Sequence, residues 1–419
     1  MNAITTLPFR PPRNCSLFIK FVQYILEPLM LPLIPKISKI EIAEDDLSIL
    51  KSYKGKRVIL ISNHAEMTEP YAVFYLSRLL HEEFNYLTAK EVFEDYFPAG
   101  KLLQALGCYS VVRGTPDRNA LRTTTELLVK GKNWLVVFPE GVSVGLSDTV
   151  MPFQPGMGQF AFRAYEELKK KGETPGIYFI PLAIKTFYVQ NMDVSIDRAL
   201  CRLEARLHPD SAPGNKNYQD RLLALGKALL KSKEQEYGVL PQPGALLSER
   251  INVVKETIIT TIANQVGVED HPEQLLTDRL RDLANAIDRI GHQRNQKKSD
   301  EQGLMQTLQD KAEVLRKSLG TATNFMAFDT CCLEQQMTTE RFLDIVGLLE
   351  REVFGRRRFW GQRKAIIKVG KPVDVKEFTA QYMDNKKETF LNISQTLETK
   401  VREMLLELSS RSDSMEPKT

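Results

Sequence analysis

A chain of 419 residues that is 42% hydrophobic and 26% charged has enough apolar material to bury the core of one large or two ordinary domains. A net charge of +4 is small for this length and does not suggest a nucleic-acid protein, although local basic patches remain able to meet an anionic membrane. The five cysteines, Cys15, Cys108, Cys201, Cys331 and Cys332, follow no CxxC or Cys/His ligand spacing. That argues against a structural zinc site and fits a reducing compartment, with the thiols buried as small apolar groups.

In chain order, the first element is the apolar segment 17–34, which follows Arg10 and Arg13. Lys20, Glu27, Pro28 and Pro32 interrupt it, so it makes a poor span of ~20 apolar residues. The segment reads better as a helix lying in a membrane surface, its Phe, Leu and Ile side chains entering the lipid boundary. The competing reading is an amphipathic helix packed on the protein's own core. No secretory signal pattern is visible. Residues 1–45 are therefore read as an amphipathic, membrane-associating region.

Residues 57–62, 134–138 and 177–187 are near-continuous apolar runs of strand length. Between them, 70–81 and 118–130 read as helices, the second capped by Asp117 or Thr115. Apolar strands alternating with helices predict an α/β layer, with chemistry just beyond strand ends.

Past residue 190 strand-like runs nearly vanish until about 365. Leu276, Leu280, Leu283, Ile287 and Ile290 form a helical apolar face, and Leu304, Leu308, Leu315 and Leu319 a second. The polar stretch 291–303 reads as the turn between two antiparallel helices, and 208–222 and 237–246 read as loops. Residues 364–375 return to strand chemistry. A closing helix is expected over 385–409, with Leu391, Ile393, Leu397, Val401, Leu405 and Leu408 as its apolar face. Residues 411–419 are expected to form a disordered tail.

The chemistry begins at residues 61–70, Ile-Ser-Asn-His-Ala-Glu-Met-Thr-Glu-Pro. A histidine that acts as general base on a hydroxyl needs an accessible ring nitrogen and a carboxylate to fix its tautomer. His64 and Glu69 offer both, although an H-x4-E spacing alone is weak, and Glu66 or Glu69 facing solvent is the plain alternative. Three later blocks give it weight: Gly107 to Arg113, preceded by Thr88-Ala89-Lys90; Val136 to Gly141, containing Phe138-Pro139-Glu140-Gly141; and Phe179 to Ile184, containing Pro181.

In this order and spacing the four blocks resemble those of the glycerophospholipid acyltransferase family, which includes the 1-acylglycerol-3-phosphate acyltransferases. The resemblance is clear over about 50–190 and resumes near 365. It implies a catalytic core at 46–190, with His64 as base and Glu69 as its acidic partner. It also implies a substrate-binding set of Asn63, Lys90, Arg113, Phe138, Pro139, Glu140, Gly141 and Pro181. Lys90 and Arg113 would sit near an acceptor phosphate, and Glu140 would grip acceptor hydroxyls. Pro181 is chiefly a packing and positioning residue.

The implied reaction moves a fatty acyl group from acyl-ACP or acyl-CoA to a glycerolipid hydroxyl, such as that of lysophosphatidic acid or glycerol 3-phosphate. It needs no metal and no cofactor beyond the thioester substrate. The implied partners are a membrane lipid surface and the acyl thioester donor, on acyl carrier protein or CoA, without nucleic acid, on the cytoplasmic face of a membrane.

Two positions depart from the family pattern. Glu69 stands where the family has aspartate, and Ser143 stands where many relatives carry a phosphate-binding arginine. Loss of one charged contact weakens binding by about 1.5–3 kcal/mol unless another group, such as Lys101 or Arg118, replaces it. The segment 152–160 resembles the family's F-x-x-G stretch leading into a helix, its glycines expected to shape a turn.

In the family, the G-x-P strand resembled by 364–375 follows the fourth block closely, whereas here residues 191–361 intervene. The expected fold is α/β, a mixed, largely parallel sheet flanked by helices, with a large all-helical insertion at 191–361. The segment 362–410 then completes the core, because a lone strand has no other sheet to join; the alternative is a separate helical domain followed by an unrelated strand. Arg356-Arg357-Arg358-Phe359-Trp360 reads as a lipid-headgroup contact or a solvated helix end. The competing functional readings are a non-catalytic lipid-binding or scaffold relative, and a thioesterase in which His64 activates water.

Overall fold

The computed structural model describes residues 9–66, 68–95, 99–113, 117–141, 143–173, 176–208, 217–292, 302–330 and 337–412. The chain opens with α1 (Ser16–Ile25), a π-helical turn (Leu26–Met30) and the short α2 (Leu31–Leu33). There follow β1 (Ile37–Ile42), α3 (Glu44–Ser52), β2 (Arg57–Ser62), α4 (Glu69–Leu80), β3 (Phe84–Ala89), α5 (Glu91–Asp95) and α6 (Ala99–Ala105). Then come β4 (Cys108–Val111), α7 (Arg118–Lys130), β5 (Trp134–Val137), α8 (Gly156–Lys170) and β6 (Ile177–Tyr188). A helical region runs through α9 (Asp193–Leu207), α10 (Tyr218–Glu236), α11 (Leu247–Val266), α12 (Leu276–His292), α13 (Gln302–Thr330) and α14 (Thr339–Phe354). The chain closes with β7 (Arg363–Val369), β8 (Val373–Asp374), a 3-10 turn (Val375–Phe378), α15 (Thr379–Asp384) and α16 (Lys386–Ser409).

The eight strands form one mixed sheet, ordered β1-β7-β6-β2-β5-β3-β4, with β8 pairing β6. Strands β6, β2, β5, β3 and β4 run parallel, and β7 is antiparallel to β6. The fold class is thus α/β with a mostly parallel sheet, as the alternating apolar runs imply. The central strands are buried nearly throughout because helices cover both faces of the sheet. One face packs against α1, α3 and α4 through residues such as Ile19, Leu50, Val73 and Leu76. The other packs against α7, α8 and α16 through Leu128, Phe162, Leu397 and Leu405.

Strand β7 pairs with β6 from Leu182↔Val369 to Tyr188↔Arg363 and with β1 on its other side. The expected single strand at 364–375 is split: Gly370 and Pro372 interrupt it, and β8 pairs separately with Tyr178 and Phe179. Gly370 is needed at the break, since a Cβ there would lie 2.8 Å from Cγ of Pro181.

Several sequence expectations change. The region read as wholly membrane-associating contains β1, which joins the sheet through β7. Its Ser, Lys and Glu residues suit a sheet edge and hide the strand from an apolar-run criterion. The expected 208–222 loop gives way at Tyr218 to α10, capped by the Asn217 side chain, which accepts from the Asp220 N–H at 2.8 Å. Residues 209–216, most of the expected 291–303 turn, Thr115, Cys331, Cys332 and 413–419 lie outside the described residues. Asp117 does cap α7, accepting from the N–H groups of Asn119 and Ala120. Cys108 is buried, and burial pushes its thiol up to about 12, but Cys15 and Cys201 are exposed, contrary to the expectation of buried thiols.

In the helical region, Leu280, Leu283 and Ile287 of α12 are buried against α11 and α13, with Val144, Leu146 and Met151 of the loop after β5 joining the same cluster. A second cluster binds α9, α10 and α14. The helices therefore pack directly on the loop that follows the third sequence block.

Candidate active site

Strand β2 ends at Ser62, and six residues, His64 among them, separate it from Glu69 at the head of α4. Inside the sheet a strand has no side available for chemistry, so reactive groups collect where the strands stop. Asn63 anchors this loop. Its side chain donates to the Ile184 carbonyl at 2.9 Å and accepts from the Ile184 N–H at 2.8 Å. It is fully buried, so it is a clasp between β2 and β6 rather than the substrate contact expected.

His64 Nδ1 lies 3.4 Å from Oε2 of Glu69. That is long for a hydrogen bond, as catalytic pairs often are before the reacting complex forms. The histidine side chain keeps 26% exposure while Glu69 keeps 3%, so the imidazole reaches solvent and the carboxylate does not. Burial raises the Glu69 carboxyl above its ordinary range, opposed by its bond to His64. The same Glu69 oxygen accepts from the Glu66 N–H at 3.1 Å. The extra methylene of glutamate thus lets the carboxylate reach back from the first residue of α4 to both the loop amide and the ring. Glu69 also sits where a helix dipole favours a negative charge. Neither Glu66 nor Glu69 faces solvent.

Phe138 stacks obliquely on the imidazole, ring centroids 4.7 Å apart. Pro139 is buried, and its carbonyl accepts from the Gln154 N–H at 2.9 Å. Glu140 corrects its expected role. Its carboxylate accepts from the His64 N–H at 2.7 Å and from the Met151 N–H at 2.8 Å, and the residue is 1% exposed. It fastens the His64 loop to the loop after β5, and its two oxygens are taken up by backbone donors. Burial pushes its pKa up to about 8, against the two amide donors. Gly141 has φ +71°, a left-handed conformation that only glycine adopts without strain. Ser143, in the place of the relatives' arginine, donates to the Ala65 carbonyl at 2.7 Å, and the Gly145 N–H donates to the same carbonyl at 2.9 Å.

Arg113 donates from Nη1 to the Gly141 carbonyl at 2.5 Å and lies 3.7 Å from Glu91, with a third of its side chain exposed. It therefore joins the second and third blocks at one mouth. Lys90, just past β3, is largely buried, and its backbone N–H pairs with the Val111 carbonyl. Pro181 lies inside β6 opposite Ile61, buried, its carbonyl accepting from Gly370 N–H. It is part of the sheet and does not face a substrate. Lys101 on α6 and Arg118 at the start of α7 are both exposed.

Sequence reasoning missed that α12 covers part of this mouth. Asn285 donates to the Arg113 carbonyl at 2.6 Å, and Gln154 donates to Asp278 at 3.1 Å. It also misread Gly158. This residue lies within α8, where a Cβ would come within 2.9 Å of the Phe390 ring, so it permits close packing on α16 instead of shaping a turn. Arg357, expected at a lipid surface or a solvated helix end, is instead ion-paired with Glu66 and Asp344, while Arg356 and Arg358 are exposed. A polar cluster of this kind leaves no periodic trace in sequence. Among the described residues, no group of three or more His, Cys, Asp or Glu side chains is arranged to hold a metal ion.

Residues 44–185 match the model of the family described as Acyltransferase. The chain carries an acyltransferase domain of the glycerophospholipid type. The match runs from α3 to β6, so it takes in the His64–Glu69 loop, Arg113 and Phe138 to Gly141. The helices α9 to α14 and the strand β7 lie beyond the matched residues. Comparison with curated proteins finds no match.

Proposed function

We propose that the protein transfers a fatty acyl group from an acyl thioester, acyl-ACP or acyl-CoA, to a hydroxyl of a glycerolipid acceptor such as lysophosphatidic acid or glycerol 3-phosphate. The observation that carries this reading is the pairing of a partly exposed His64 with a buried Glu69 inside an acyltransferase domain. With Nδ1–H directed at Glu69, the imidazole has its other nitrogen available to take the hydroxyl proton. The acceptor oxygen attacks the thioester carbonyl, the C–S bond breaks as the tetrahedral intermediate collapses, and the leaving thiolate recovers the proton from the imidazolium. Glu69 stabilises that transient cation, which a buried carboxylate does better than an exposed one. Arg113, part-exposed beside Gly141, is the group best placed to meet an anionic acceptor.

The reading places the protein on the cytoplasmic face of a membrane, held by its N-terminal helices. Ile19, Val22, Leu26 and Leu31 are buried against the domain, whereas Leu17, Phe21, Tyr24, Leu29, Leu33 and Ile34 are exposed. Ser16–Leu33 is long and apolar enough to cross a membrane by length and composition. Its inward face already belongs to the core, which favours lying in the interface over spanning it. Leu17→Glu with Phe21→Glu is expected to reduce sedimentation with anionic phospholipid vesicles while leaving the thermal transition in place.

The deciding experiment offers radiolabelled acyl-CoA and acyl-ACP with a panel of lysophospholipid and glycerol-phosphate acceptors to wild type and His64→Ala. Acceptor-dependent lipid product from wild type alone supports the proposal. Equal product from both, or none from either, sinks it, the latter in favour of the non-catalytic relative. Free fatty acid formed without any acceptor would point to the thioesterase.

A further inference from the structure

We propose that Arg357 and Arg363, both outside the matched domain, are positioning residues that hold the catalytic loop in place by gripping Glu66. Glu66 lies between His64 and Glu69 in the loop. Its Oε1 is 2.7 Å from Arg357 Nη2, and its Oε2 is 2.7 Å from Arg363 Nη1. The two guanidinium groups then fan out to backbone. Arg363 Nη2 donates to the Pro35 carbonyl at 2.9 Å and to the Thr68 hydroxyl at 3.2 Å. Arg357 Nη1 donates to the Gly145 carbonyl at 2.8 Å, and Arg357 Nη2 also meets Asp344 of α14. Asp344 in turn accepts from the Ser147 N–H at 2.7 Å.

Two stretches of chain are therefore tied to one cluster: Glu66 and Thr68 directly, and Gly145 and Ser147 through Arg357 and Asp344. The second stretch feeds back on the first, because Gly145 N–H holds the Ala65 carbonyl. The Phe359 ring lies 4.3 Å from the Arg363 guanidinium and 5.8 Å from that of Arg357, covering the cluster. Arg341 and Asp148 pair alongside at 3.0 Å.

Buried ion pairs seldom add net stability over well-packed apolar side chains of similar volume, so bulk stabilisation explains such a cluster poorly. Fixing one register of a loop explains it better, since each guanidinium offers several donors in a rigid planar fork. Burial alone would raise the Glu66 carboxyl, but the two arginines outweigh it and hold the group down at about 2. The two guanidinium groups thus favour the ionised form of Glu66 and make it a weaker proton acceptor beside His64. Asp344 shares only Arg357, and burial keeps it raised to about 6.

The inference rests on His64 being the base, as in the proposed function. The test compares wild type, Arg357→Ala, Arg357→Lys and Asp344→Asn in the full chain, with Arg316→Ala as control in an exposed pair far from the loop in sequence. One readout needs no substrate: carbethoxylation of His64 by diethyl pyrocarbonate across pH, resolved by peptide mass, with part-exposed His271 as internal reference. Arg357→Ala is expected to change the His64 rate or its apparent pKa and leave His271 unchanged, with partial recovery in Arg357→Lys. The second readout is kinetic. Arg357→Ala should lower kcat about 10- to 100-fold, the scale of a misplaced catalytic group, and lower nothing further in a His64→Ala background.

If Arg357→Ala fails to fold, Asp344→Asn, of nearly equal volume, carries both readouts with a smaller effect in the same direction. Unchanged His64 labelling and unchanged kcat in folded variants would overturn the proposal. If wild type transfers no acyl group to any acceptor, the labelling arm still decides the positioning role, so the two failures are distinct.

Discussion

Buried charge is used differently at the sheet's catalytic end and in the helical region. At the sheet end, buried polar side chains mostly bond to backbone: Asn63 to Ile184, Glu140 to His64 and Met151, and Ser143 to Ala65. In the helical region, charges mostly bond to each other across helices, as Arg221 does with Asp197 and Glu204, Arg250 with Glu234, and Arg279 with Glu256 and Asp270. Irregular chain near a reactive group has backbone donors and acceptors that must be satisfied, and side chains satisfy them while fixing the loop. Helices satisfy their own backbone, so their side chains are left to pair with neighbours. A substitution at the sheet end should therefore move geometry and rate, and one in a helix-to-helix pair remote from the Glu66 cluster should move stability alone.

The sharpest way to break this contrast is at His64, the proposed base. His64→Ala is expected to lower kcat by about 10²- to 10⁴-fold, the usual contribution of general base catalysis, with little change in thermal stability, measured as initial rate and Tm. Next is Glu69→Asp. Although aspartate is the family's residue, the loop is built around a glutamate that reaches both Glu66 N–H and His64. Shortening it should cost up to about 10²-fold in kcat, with KM nearly constant. A rise in rate would show that the loop readily adopts the family geometry.

Glu140→Gln tests the clasp. A carboxamide nitrogen must face one of the two backbone donors, so the variant should lose about 1–3 kcal/mol of stability, read by denaturant unfolding. The pH dependence has a definite sign. The folded-state pKa of Glu140, about 8, lies above the ordinary 4.5 because of burial, so its favourable contribution is complete below 4.5 and is lost as pH rises through about 8. The stability gap between wild type and Glu140→Gln should accordingly narrow from pH 5 to 8. The smallest effect is expected on the helices. Arg316→Ala breaks an exposed pair with Asp288 and should shift stability by no more than about 1 kcal/mol and leave kcat unchanged.

What the sequence determined by itself is local and periodic. The apolar runs marked β2, β5 and β6, the heptad-like leucines marked α12, and Phe138 to Gly141 marked the turn that faces His64. Even the Glu69 departure was visible, because the identity of a residue needs no coordinates. The sequence could not show β1, β3 or β4, which are short and partly polar, since a strand at or near a sheet edge is defined by its partner.

Only the tertiary structure decided what the buried polar groups do. Asn63 and Glu140 are the kinds of residue a substrate site would use, and both are spent on backbone instead. Arg357 sits in a run of arginines and aromatics that reads as surface, yet it pairs with Glu66, nearly three hundred positions away, across a join between α14, β7 and the catalytic loop. The physical reason is that burial and ion pairing depend on which distant segments meet, and a carboxylate or guanidinium carries no periodic signature of its partner. His64 could be singled out from sequence spacing, whereas the arginines paired with its neighbour Glu66 appeared only in the tertiary structure.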